Sequence, residues 1–107
     1  MLTAAQVKTG LATATGFPAA LYAWKNQTAS DYLVVTDEPA DALWADGKRS
    51  EEMSAGTVDL FTKTADGSTK AAVEVAFNGM DLSYYLNSVQ YEDDTGYIHY
   101  EWVWEAV

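Results

Sequence analysis

The stretch from residue 83 to residue 105 constrains the fold most. Residues 83–92 and 97–105 read as two strands flanking Asp93-Asp94-Thr95-Gly96. Acidic residues at the first turn positions and Gly where φ is positive are the chemistry of a tight hairpin turn. Side chains alternate faces along a strand, so the turn length decides which residues share a side. With four residues in the turn, Tyr91 faces Ile98, Val89 faces Tyr100, Asn87 faces Trp102 and Tyr85 faces Trp104. That side is expected to be aromatic and buried. The opposite side pairs Gln90 with His99, Ser88 with Glu101, Leu86 with Val103 and Tyr84 with Glu105, and reads as mixed. A slip of one residue would mix the two sides.

The rest of the chain supplies what must cover such a sheet. A helix is predicted over about 3–15, opened by a Thr3-Ala4-Ala5-Gln6 capping box. Ala4, Val7, Leu11 and Ala14 form a narrow apolar stripe, and Gly16 with Pro18 is the stop signal. Strands are predicted at Leu21–Trp24, Asp31–Thr36 and Ala42–Ala45, the last running into the turn dipeptide Asp46-Gly47. Ser50–Gly56 reads equally as a loop or an irregular return strand. Thr57–Thr62 alternates, with Val58, Leu60 and Thr62 on one face and Asp59 and Phe61 on the other. A turn at Asp66-Gly67-Ser68, with Ser68 as N-cap, feeds a second helix over about 69–79. Its apolar face is Ala72, Val73, Ala76, Phe77 and Met80, and Asn78-Gly79 closes it. The fold class is therefore α+β: a mostly antiparallel β-sheet with two short helices packed on one face and a C-terminal β-hairpin. Residues 1–107 read as a single domain, without repeats or low-complexity linkers.

Charge and composition narrow the function classes. Six Lys+Arg stand against 16 Asp+Glu, a formal net charge of −10. Binding nucleic acid through its phosphates, or an anionic membrane surface, is therefore not expected. No apolar run approaches the ~18 residues that span a bilayer. Met1–Ala5 lacks the features of a signal peptide, so a soluble intracellular product is expected. The absence of cysteine excludes disulfides and thiolate metal sites. His99 is the lone histidine and reads as structural, with Gln90 and Glu101 as its expected neighbours. Glu92-Asp93-Asp94 reads as part of the turn, because calcium needs more oxygens from a longer loop. The glycines are isolated, no Gly-x-Ser-x-Gly motif occurs, and no carboxylate pair stands in an apolar context. No enzyme is expected, with no catalytic residue, cofactor or metal. Trp102 and Trp104 are expected in the core. Trp44, next to the hairpin tip Asp46-Gly47-Lys48-Arg49, reads equally as a core residue or as an interface anchor.

At this point a family pattern enters. Ala42-Leu43-Trp44-Ala45-Asp46-Gly47-Lys48, followed by Gly56-Thr57-Val58-Asp59-Leu60-Phe61-Thr62-Lys63, resembles siphovirus tail terminator proteins, also described as tail completion or head–tail joining proteins. The closing Ser88–Trp102 stretch is similar to the family's ending. Tyr32-Leu33-Val34-Val35 resembles its aromatic-hydrophobic strand, with Asp31 where Pro is usual, and Ser50–Ser54 is more polar than the family's strand. The resemblance implies a virion component at the head–tail interface of the tail, made in the bacterial cytoplasm. It implies a homohexameric ring that caps the tail tube, stops its polymerisation and docks to the filled head. The implied partners are further copies of the chain, the tail tube protein and the head-completion or connector protein, with DNA passing through unbound. A tip at Asp46–Glu52 would then form contacts, with Trp44, Asp46, Gly47, Lys48, Arg49, Glu51 and Glu52 as the interface. Alternatives are a tail tube or head-completion protein of the same particle, or a small acidic binding module that mimics DNA and inhibits a basic partner.

Overall fold

A computed structural model describes residues 2–23, 30–37 and 54–106. The first element, α1, is Ala4–Thr15. The Thr3 hydroxyl accepts from the Gln6 N–H and the Gln6 side chain accepts from the Thr3 N–H, so the capping box is complete. Gly16 ends the helix at φ 78, a conformation that costs glycine little. Val7 and Leu11 are fully buried and Ala4 nearly so, whereas Ala14, expected in the stripe, is exposed.

Strand β1 is Ala19–Leu21, earlier than the predicted 21–24, because it pairs in parallel with β2 at Leu33–Val35. Strand β2 is Asp31–Asp37 and β3 is Ser54–Thr62, so the ambiguous stretch contributes strand from Ser54 onward. Helix α2, Ser68–Asn78, follows. Ser68 is its first residue rather than its cap. Gly67 occupies the cap at φ 84, and the Ser68 N–H donates to the Asp66 carboxylate at 2.9 Å. Strands β4, Ser83–Tyr91, and β5, Ile98–Ala106, form the hairpin. The predicted strand at 42–45 lies outside the described residues.

The sheet order is β1-β2-β3-β5-β4, antiparallel except for β1 with β2. The fold is α+β, with both helices on one face. β3–α2–β4 is a parallel crossover split by β5, which returns between its two strands. The principal core lies between sheet and helices. Val58 and Leu60 meet Leu33, Val35, Trp102 and Trp104, under Val7, Leu11, Val73 and Phe77. Phe77 stacks on Tyr84 at 4.7 Å and meets Trp102 edge-on at 5.9 Å. Helix α1 packs closely at Gly10 against Met80, just past the end of α2, where a Cβ would lie 2.6 Å from the Met80 methyl. Thr62 shares this face and is fully buried, but its hydroxyl donates to Asp31 and accepts from Thr69, so the polar group is satisfied.

The hairpin departs from its expected register in one place. Tyr91–Ile98, Gln90–His99, Val89–Tyr100 and Ser88–Glu101 pair as expected. A bulge at Asn87 then shifts the partners, giving Leu86–Trp102, Tyr85–Val103 and Tyr84–Trp104. The expected pairs Asn87–Trp102, Leu86–Val103, Tyr85–Trp104 and Tyr84–Glu105 are corrected accordingly. Tyr84, rather than Tyr85, joins the core edge, and Tyr85 is 58% exposed. The extra residue lets strand β4 present Tyr84 and Leu86 to the indoles, with the side chain of Asn87 turned to Glu101 at 2.7 Å.

Candidate functional site

The sheet face opposite the helices carries the densest polar and aromatic chemistry among the described residues. Cross-strand register lines up Tyr32 on β2, Phe61 on β3 and His99 on β5. Their rings stack in sequence, Tyr32 on Phe61 at 4.8 Å and Phe61 on His99 at 4.3 Å. Tyr97 meets Tyr32 and Phe61 edge-on, and the Lys63 ammonium lies 4.9 Å from the Tyr97 ring centre. Tyr32, Val34 and Tyr97 form a second small core here, with Phe61 against it.

The next row holds Val34, Asp59 and Glu101. Two carboxylates directly opposite one another repel. His99 offsets this, its Nε2 lying 2.7 Å from Asp59 Oδ1. The expected hydrogen bonding of His99 is therefore corrected, while Gln90 is its cross-strand neighbour as expected. Gln90 lies opposite it in the ladder, but its hydrogen bond runs to Asp59 on β3, not to Gln90 or Glu101. The hydrogen bond to Asp59 raises the His99 pKa, burial opposes it, and the charges of Asp59, Glu92 and Glu101 add to the rise.

Beside this row lies a pocket of about 380 Å³ lined by Tyr22, Ala23, Tyr32, Val34, Asp59, Phe61 and Glu92. Its rim is held by an unusual backbone. Tyr22 follows β1 at φ 68, the one described non-glycine residue with positive φ. The Ala23 N–H donates to the Leu21 carbonyl at 2.8 Å, closing a γ-turn around Tyr22. The Tyr22 N–H donates to Val35 and its hydroxyl to Asp37 at 2.9 Å, which pushes the phenol pKa up. Burial, with the charges of Tyr97 and Glu92, raises that of Tyr32. Glu92 enters from the hairpin turn. Its N–H donates to Tyr97, its carbonyl accepts from Gly96, and its carboxylate accepts from the Thr95 hydroxyl.

A second surface feature is the β4 edge. Strand β4 is the last in the sheet, and its residues read Ser-Tyr-Tyr-Leu-Asn-Ser-Val-Gln-Tyr, with no charge and no proline. Tyr85, Val89 and Tyr91 are each more than half exposed.

Trp44, Asp46, Gly47, Lys48, Arg49, Glu51 and Glu52 all lie outside the described residues. Trp102 and Trp104 are fully buried, as expected. Among the described residues no three His, Asp or Glu side chains gather as metal ligands, and no helix is long and apolar enough to cross a membrane. The sequence reading did not find the pocket or the Asp59–His99 pair. The one local signal was the alternation that put Asp59 and Phe61 on the same face. Compared with protein-family models and with curated proteins, the chain matches none.

Proposed function

We propose that the chain is a structural subunit of a siphovirus tail: a terminator that closes as a ring on the last ring of the tail tube. In that role it halts tube growth and joins the tail to the filled head. The family likeness in Gly56–Lys63 and Ser88–Trp102 suggests the particle, and the observation that carries the reading is the β4 edge. Nine residues of edge strand expose a row of backbone donors and acceptors to any extended partner. Proteins that stay monomeric blunt such edges with lysine, proline, inward charge or a bulge; of these β4 has only the bulge at Asn87. An edge of this kind suits a surface that another chain covers. In a cyclic assembly each subunit's contact is completed by the next copy, so the edges disappear on closure.

The charge fits the same role. A lumen lined by a strongly acidic protein repels phosphates, so DNA passes without sticking. Growth stops because one ring face offers the tube's own stacking surface and the other does not. The Asp46–Glu52 segment, with Trp44 beside it, contacts a neighbouring subunit in this scheme, Lys48 and Arg49 pairing with acidic groups there.

Two measurements test the proposal. Native mass spectrometry of the purified chain is expected to show a closed oligomer, weakened by Lys48→Glu with Arg49→Glu while the monomer stays folded. Deleting the gene from its phage and imaging the lysate is expected to show tails of uncontrolled length unattached to full heads. Full heads without tails would point to a tube or initiator component, and normal infectious particles would overturn the structural role.

A further inference from the structure

We infer that the pocket on the helix-free face receives the guanidinium of an arginine side chain presented by a partner protein. The inference stands apart from the tail reading, since it rests only on what lines the pocket. Two carboxylates reach it from distant parts of the chain, Asp59 from the middle of β3 and Glu92 from the β4–β5 turn. Neither is paired with a lysine or arginine among the described residues, and Asp59 has His99 as its charged partner. Asp59 engages His99 through Oδ1, while Glu92 holds a single uncharged hydroxyl, that of Thr95. The ring of Tyr22, 61% exposed, lines the same pocket, whereas both faces of Phe61 are covered, by Tyr32 and by His99. An exposed flat ring beside carboxylates suits a flat cation, which stacks on the Tyr22 ring and donates hydrogen bonds at its edge. Arginine fits this better than lysine, because guanidinium is planar and more weakly hydrated.

Two further observations point the same way. The aromatic cluster already takes one cation of its own, since the Lys63 ammonium sits over Tyr97. The rim is also built with strain. Tyr22 sits exposed in a γ-turn at positive φ, a conformation that residues with a Cβ rarely adopt, and such strain gathers at ligand clamps. Its hydrogen bonds to Val35 and Asp37 hold the ring at the mouth of the pocket. The volume, about 380 Å³, is within the range of side-chain and small-ligand sites. The net charge of −10 steers basic partners toward the whole molecule.

Amide NMR titration of the full chain tests the inference, with the capped tripeptide Gly-Arg-Gly as probe. Its citrulline counterpart has the same shape without the charge. Saturable shifts are expected at Tyr22, Phe61 and Glu92, with affinity at least about tenfold weaker for citrulline. Glu92→Gln and Tyr22→Ala are expected to weaken the arginine peptide, and Tyr22→Phe to retain it, because the ring is kept. Asp59→Asn should weaken it too. If that variant unfolds, the Glu92 and Tyr22 variants decide, each checked by an unchanged spectrum elsewhere. Equal binding of the citrulline peptide, or shifts insensitive to all these variants, would overturn the inference. So would saturable binding of spermidine without binding of the arginine peptide, which would make the site one for a free polyamine.

Discussion

Gly56 is the residue with least freedom to change. A Cβ there would lie 1.8 Å from the Thr36 carbonyl oxygen and under 3 Å from two more backbone atoms of β2. No side-chain rotation relieves a clash with backbone, so β2 and β3 would have to separate. Gly56→Ala is expected to cost more than about 3 kcal/mol, read as a lower urea midpoint or as failure to fold. The two core tryptophans differ in a testable way. The Trp102 indole N–H donates to Glu74 at 3.1 Å, while among the described residues no acceptor meets the buried Trp104 N–H. Replacing either with Phe loses packing, but only at 104 does it also remove an unsatisfied donor. Trp104→Phe is therefore expected to destabilise less than Trp102→Phe, by about 1–2 kcal/mol in denaturant unfolding. His99 makes stability depend on pH. Its folded pKa is raised above 6.5, so the protonated form is favoured by folding. That contribution is complete below 6.5 and disappears as pH rises through the higher folded value. Thermal melts across this window are expected to show the wild type losing stability upward, and His99→Gln losing less.

At the scale of elements, the bulge in β4 makes a sharper prediction than any single contact. Ser88 pairs with Glu101 and Leu86 with Trp102, so Asn87 is a pure insertion in the ladder. Removing Asn87 should leave every other β4 residue on its present face, at the loss of one hydrogen bond to Glu101. The deletion variant is expected to fold with both indoles still buried, as their fluorescence would report. Deleting Ser88 instead gives the same register, with Asn87 opposite Glu101, and the same outcome is expected. The same bulge marks where sequence reading stops. The caps of α1, alternation in Thr57–Thr62 and the four-residue turn were legible because their causes are local. Nothing local says that β4 will take an extra residue so that Tyr84, not Tyr85, meets the core. The pairing of Asp59 with His99 was hidden for a related reason. It needs β3 beside β5, a neighbour relation between residues 40 apart in sequence. Trp44 and the Asp46–Glu52 tip fall outside the described residues, so the expected interface still awaits the assembly experiments.

For the whole molecule, the excess of ten negative charges is a uniform stress. Compaction brings like charges together, and salt shortens their reach from about 30 Å at 0.01 M to about 3 Å at 1 M. The melting temperature is expected to rise with sodium chloride over that range. If it falls, specific ion pairs outweigh the general repulsion. Among the described residues these are few, chiefly Lys70–Glu74 and Asp59–His99. The sheet order has a consequence for biosynthesis. The last strand in chain order, β5, is central in space, with β3 on one side and β4 on the other. A ribosome delivers it after every other element described here. Until it emerges, β1, β2 and β3 can pair but β4 has no strand to join, and the core lacks both indoles. The domain is thus obliged to close only once β5 has emerged, and its time of greatest vulnerability to proteases and aggregation is the interval before β5 arrives.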